Sequence, residues 1–204
     1  MTSCNFEQKQ NQQFSQEQLD SIRAYELYNS ALAFNLQGKD IQALPLYDSA
    51  IALISQDPDF YNNRGLTKEA LRDTMGAITD FYKAIEMDSL YVTAYQNLGA
   101  MYGEIGYDSL SLYYAEKAWK LEPSSTKLFN IGVNKYMLKD YEGCILVFLD
   151  YLKDKKSPLK KTAFYYLGNS YSELNDSYNA QRCWDKANEL AGYDFKAEMD
   201  KTHK

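Results

Sequence analysis

Apolar and small residues recur along the chain at helical spacings of three and four, and short polar breaks interrupt the pattern at regular intervals. Tyr61 to Leu71 reads as one amphipathic helix and is followed by Arg72-Asp73. Tyr95 to Ile105 is followed by Gly106-Tyr107-Asp108, and Phe164 to Leu174 by Asn175-Asp176. Gly38, Gly106 and Asn175 occupy one equivalent slot, where a residue tolerant of left-handed backbone ends a helix, and an Asp or its neighbour then caps the next. Strand-type alternation is not evident and β-branched residues are sparse, so the expected fold is all-α.

The breaks are periodic. Ala31, Gly65, Gly99, Gly132 and Gly168 follow one another at spacings of 34, 34, 33 and 36 residues. A second series, Ala50, Ala84, Ala118, Tyr151 and Ala187, runs 19 residues behind the first. Pro58, Pro123 and Pro158 fall at the junctions this period predicts. The pattern predicts five helix pairs at 24–57, 58–91, 92–124, 125–160 and 161–194. A polar tail, 1–14, precedes this array, with 5–14 expected to be disordered, and a short capping helix and tail, 195–204, follow it. Ser15 with Gln18 reads as a capping box that opens a long first helix, and Phe195 and Met199 lie one turn apart on the last. Three departures stand out. Tyr151 replaces a small residue before a lengthened junction, Pro45 sits one turn inside a helix, where it predicts a late start or a bend, and Arg64 and Lys68 stand on a normally packed face. The two cations should find Glu69, Asp73 or Asp80, or snorkel outward.

Tyr-Asn-Asn-Arg-Gly (61–65), Tyr-Gln-Asn-Leu-Gly (95–99), Leu-Phe-Asn-Ile-Gly (128–132) and Phe-Tyr-Tyr-Leu-Gly (164–168) resemble the opening aromatic-x-x-Leu-Gly of the tetratricopeptide repeat. Ala77 to Ile85 and Ala43 to Ile51 are similar to that family's Ala-x-x-x-aromatic-x-x-Ala second helix. The resemblance covers most of the chain and implies a right-handed α-solenoid of antiparallel helix pairs that acts as a non-catalytic protein-interaction module.

It also implies a concave surface formed by the first helix of each pair. Among the residues that face it are Tyr25, Tyr28, Asn29, Asn62, Asn63 and Leu66, then Gln96, Asn97, Phe129 and Asn130, and finally Tyr165, Tyr166 and Asn169. Asn29, Asn63, Asn97 and Asn130 share one slot, and such a ladder of amides could hold the main chain of an extended peptide. Some members of the family clamp a C-terminal carboxylate with Lys and Arg, but Tyr28, Asn62, Thr93, Gln96 and Thr126 leave this groove neutral. The alternative is a structural subunit of a larger assembly, envelope-associated if the chain is lipid-anchored, that makes contact through its convex face or an open end.

Composition narrows the chemistry. The net charge of −6 gives no electrostatic reason to approach a phosphate backbone, so no nucleic-acid partner is expected. No apolar run is long enough to span a bilayer. His203 stands alone near one end, and no nucleotide-binding or metalloprotease motif is present, so neither enzymatic activity nor a cofactor or metal is expected. Cys144 and Cys183 read as packed thiols. Thr2-Ser3-Cys4 resembles the trimmed end of a bacterial lipoprotein, in which Cys4 carries the lipid and 5–14 form a spacer. Two locations follow from this: cytoplasmic as written, or anchored in a bacterial envelope.

Overall fold

The structure, a computed structural model, describes residues 14–202. Cys4, the tail 5–13 and His203 lie outside the described residues. Among those described there are helices and no strands. The helices are α1 (Gln16–Leu36), α2 (Asp40–Leu53), α3 (Pro58–Ala70), α4 (Thr74–Met87), α5 (Val92–Glu104), α6 (Asp108–Leu121), α7 (Ser125–Met137), α8 (Tyr141–Tyr151), α9 (Lys160–Glu173), α10 (Ser177–Ala191) and α11 (Phe195–Thr202). Packing sets apart two compact units, 1–94 and 95–204, with the division falling inside α5.

Local chemistry sets where each helix starts and stops. Five breaks place one residue in left-handed backbone at equivalent positions: Gly38, Arg72, Gly106, Lys139 and Asn175, with φ between +61° and +79°. After three of them an aspartate caps the next helix. Asp73 accepts from the Gly76 N–H, Asp140 from that of Gly143 and Asp176 from that of Asn179. Gly76 and Gly143 let the carboxylate sit close, since a Cβ at either would lie within about 2.2 Å of it as placed, while Asn179 holds the equivalent position in the third cap and adds a side-chain bond to Asp176. Asp40 and Asp108 instead occupy the first helical turn, where an anion complements the helix dipole. The Ser15–Gln18 capping box opens α1. Pro45 lies inside α2, which nevertheless begins at Asp40, so the helix does not start late.

In the N-terminal unit, α1 packs on α2, α3 on α4, and α2 on α3. Ala24, Ala50 and Phe60 form one buried cluster, and Ala31, Ala43 and Tyr47 another. Tyr28 links the two, stacked on Phe60 and edge-on to Tyr47. In the C-terminal unit the core is a run of aromatics: Phe129 meets the edges of Phe148 and Tyr151, and Phe148 stacks flat on Tyr166. Tyr151 explains the lengthened junction after α8. It is buried, its hydroxyl accepts from the Leu159 N–H, and its carbonyl accepts from the Ser157 hydroxyl, so the extra residues are tied down by the ring that replaces a small side chain. Phe195 of α11 is buried and Met199 packs beside the same core.

The two left-handed positions not held by Gly or Asn give a direct check. Arg72→Gly or Lys139→Gly relieves a Cβ clash that outweighs the added chain entropy, so each should raise stability by about 0.5–1 kcal/mol in urea unfolding. A loss of stability in both would mean that these breaks are not left-handed.

Candidate functional site

Each residue expected on the concave surface now has a place. In the N-terminal unit, Tyr25 is half exposed and donates to Asp57 at 2.6 Å, a bond to a carboxylate that raises its pKa. Asn29 and Leu66 are exposed. Asn63 is half-buried, and its amide nitrogen donates both to the Tyr28 hydroxyl and to the Asp59 carbonyl, each at 2.9 Å. Both its N–H groups are thereby committed within the fold.

Four expected groove residues belong to the core. Asn62, Phe129, Tyr165 and Tyr166 are buried. The reason is the packing of each pair. Asn62, Phe129 and Tyr165 each precede the small contact residue of their helix (Gly65, Gly132, Gly168) by three positions and lie one turn from it on the packed side, whereas Gln96, at the same offset from Gly99, is exposed. Tyr166 is held by its stack on Phe148. Asn169, half-buried, accepts from the indole N–H of Trp184 at 3.0 Å.

Gln96 and Asn130 are exposed, and Asn97 is half-buried. In the C-terminal unit, Gln96 and Asn130 stand at the rim of an open hollow of about 380 Å³. Its walls include Gly99, Ala100, Val133, Phe129 and Tyr166, and α6 contributes Ser111, Ala115 and Ala118. A smaller hollow of about 360 Å³ in the N-terminal unit is lined by Leu32, Asn35, Leu36, Asp40, Asn63, Leu66 and Thr67. There Asn35 accepts from the Tyr47 and Thr67 hydroxyls and donates to Asp40, so that hollow is braced by its own amides.

The larger hollow has a cause that is visible pair by pair. Sixteen residues after each small contact residue stands Tyr47, Phe81, Ala115, Phe148 or Trp184. A Cβ added at Gly65, Gly132 or Gly168 would strike the ring of its partner at 2.7 Å or less, whereas at Gly99 it would meet only ordinary contacts at 3.4 Å and beyond. The aromatic is missing in this pair alone. Its neighbour Tyr114 is buried and stacks on Tyr102, and so does not fill the space. The 16-residue offset was available in the sequence and is the signal that finds the site.

The cations of α3, themselves half-buried, gather around one buried aspartate. Arg64 donates to both oxygens of Asp80, at 2.8 and 2.6 Å, and to Asp48 at 2.7 Å, while the Lys68 ammonium lies 2.8 Å from Asp80. Asp80, one of the three partners expected, is almost completely buried, and the pairing compensates its burial. Cys144 is buried beside Ser170, which donates to its sulfur, and burial pushes its thiol pKa up to about 11. Burial also raises that of Cys183. Both shifts disfavour the thiolate, the form that acts as a nucleophile. Among the described residues no group of His, Cys, Asp and Glu is placed to hold a metal ion, and no helix is long and apolar enough to cross a membrane.

Comparison with solved structures supplies the fold. YrrB, described as a TPR protein with an unusual peptide-binding site, superposes with a TM-score of 0.77 at 21% identity, covering 88% of this chain and 92% of its own. MamA from Desulfovibrio magneticus gives 0.74 at 19% identity over 83% and 95% of the two chains. Pseudomonas aeruginosa PilF gives 0.69 at 16% identity over 89% and 82%. The chain has the tetratricopeptide-repeat fold. Its helix pairs form an all-α solenoid of that type. Among curated proteins, a stretch of 143 residues (68% of the chain) is 25% identical to the protein CTR9 homolog of Arabidopsis thaliana, and it spans 13% of that protein. No protein-family model matches the chain.

Two measurements test these assignments. Asp80→Ala leaves two cations without their buried partner and should cost about 3–5 kcal/mol in chemical unfolding, whereas Asp48→Ala, at the exposed end of the cluster, should cost about 1 kcal/mol or less. Equal effects would contradict the burial argument. The second is alkaline titration. Burial is the main cause that pushes the Tyr165 pKa up to about 12, and its bond to Asp200 adds to this. A raised folded-state pKa contributes stability that is complete below the unfolded value of about 10 and is lost as pH rises through the folded one. The urea midpoint should therefore hold to pH 10 and fall between pH 10 and 12, and a flat midpoint across that range would refute the assignment.

Proposed function

We propose that the chain is a non-catalytic protein-interaction scaffold whose C-terminal unit holds an extended peptide against α5 and α7. The single observation that carries this reading is the open hollow of about 380 Å³, with small and apolar walls and the amides of Gln96, Asn130 and Asn134 around it. Amide side chains offer donors and acceptors suited to a peptide main chain, and apolar walls take its side chains. Lys127 is the charged residue of the lining, and it is buried and paired with Glu122. Recognition there depends on shape and hydrogen bonding more than on charge, and its affinity varies little with salt. YrrB, which shares the fold, is described as having a peptide-binding site, and this supports the choice of ligand.

The test is a peptide selected from a random display library against the full chain. Gln96→Ala combined with Asn130→Ala should weaken its binding by about 1–3 kcal/mol, the usual result of leaving buried polar groups unpaired, with the helical circular dichroism unchanged. Undiminished binding by the folded double variant would refute the groove. One observation favours a second reading. Phe14, Leu19 and Ile22 are exposed at the start of α1, an apolar stripe suited to end-on contact within a larger assembly. In that case Ile22→Glu abolishes partner capture and the amide variants do not.

A further inference from the structure

The peptide groove proposed above leaves open what its deepest part selects, and the third helix pair answers that from its own construction. Within the C-terminal unit the fourth pair shows the complete arrangement: Phe148 reaches across to Gly132, with Phe129 at its edge and Tyr166 stacked on its face. One repeat earlier the corresponding positions hold Ala115, Gln96 and Asn130. At Gly99 an added Cβ would meet the α6 main chain at ordinary contact, Ser111 O at 3.4 Å and Ala115 N at 3.5 Å, instead of a ring, and the hollow opens beside this contact because Ala115 supplies no ring. The space opens between exposed residues of α5 and α7.

We infer that this hollow is a specificity pocket for one large aromatic side chain of a bound peptide, which inserts from the groove into the place that Phe148 fills in the next pair. The inference rests on the groove reading and adds the identity of the anchor. The volume is sufficient: an apolar cavity of about 150 Å³ already takes a benzene ring, and this one is about 380 Å³. The lining offers an incoming ring two aromatic side chains, Phe129 and Tyr166, to pack against. The Ser111 hydroxyl is already engaged with the Gly99 carbonyl, so the floor presents no unsatisfied polar group to an apolar guest. The amides of Gln96 and Asn130 stand at the mouth, where the main chain on either side of the anchor would pass. An aliphatic anchor would leave part of the slot empty, and a charged one would have to be desolvated against alanine and glycine. Aromatic residues are also among the side chains that most often dominate binding at protein interfaces.

The probe is N-acetyl-tryptophanamide, with N-acetyl-alaninamide as control, titrated into the isotopically labelled full chain and followed by NMR. The tryptophan probe should shift the amide resonances of Gly99, Gly103 and Ala115, give cross-relaxation to the Ala115 and Ala118 methyl groups, and bind at least about tenfold more tightly than the alanine control. Ala115→Phe, which completes the pattern of the other pairs, should abolish these effects and raise the melting temperature. Shifts that fall elsewhere on the chain, or equal binding of the two probes, would overturn the inference. So would full retention of the tryptophan probe by a folded Ala115→Phe protein. The cross-relaxation is read on the unsubstituted chain and decides the matter even if Ala115→Phe does not fold. The two readings fail separately. A display-selected peptide that ignores Ala115→Phe yet responds to Gln96→Ala with Asn130→Ala removes the aromatic anchor and keeps the groove. A tryptophan probe seated at Ala115 while selected peptides ignore the amide variants keeps the pocket and removes the peptide groove.

Discussion

The structure depends on the approach of two antiparallel helices at a position where one of them has no side chain to offer. Gly65, Gly132 and Gly168 let their second helices come close, and Phe81, Phe148 and Trp184 then cover the bare patch from across the pair, while in the first pair the small Ala31 packs in one cluster with Tyr47. Small residue and ring are complementary halves of one contact, and neither half buries much surface without the other. The 34-residue spacing of the small residues is therefore the spacing of the structural unit. Replacing the ring with alanine in one pair opens a space without disturbing the helices around it, because the neighbouring pairs continue to bury their own faces.

Polar groups are arranged around the same contacts. Asp80 lies within the second pair and is compensated by Arg64 and Lys68, so a face that elsewhere is apolar is held together by charge. Among the described residues every buried side-chain nitrogen or oxygen finds a partner. Against that background the amides of Gln96 and Asn130, which face solvent at the mouth of a hollow, contrast with those of Asn35 and Asn63, which brace the N-terminal unit. Within the asparagine ladder itself the settings differ: Asn63 is bonded inside the fold, and Asn29 and Asn130 are exposed.

What could be read from the sequence was what depends on neighbours in the chain. The left-handed breaks, the aspartate caps and the period of small residues are all local or strictly repeated, and each appears in the structure. The concave residues were harder to assign. The resemblance puts Asn62, Phe129, Tyr165 and Gln96 at one equivalent position, three residues before a glycine, yet the first three are buried and Gln96 is exposed, a difference set by the packing of each pair and not by position along the helix. Arg64 and Lys68 could be matched to Asp80 one turn across the pair, but Asp48, in the preceding helix, could not be anticipated without the packing. The vacancy at Ala115 was legible in principle. It appears only when the residues sixteen positions after the small ones are set side by side and one is seen to lack a ring.

The most direct test of this construction compares Gly99→Ala with Gly132→Ala by urea unfolding. At Gly132 the new methyl would meet the Phe148 ring at 2.7 Å, and that ring is fully buried and cannot yield, so the variant should lose about 1–3 kcal/mol. At Gly99 the methyl enters ordinary contact at 3.4 Å and beyond, and alanine is the better helix former, so the same substitution should be neutral or gain up to about 1 kcal/mol. Opposite outcomes at two equivalent glycines are what a missing ring in the third pair requires. Equal destabilisation at both would show that the third pair is closed like the others and that the pocket does not exist.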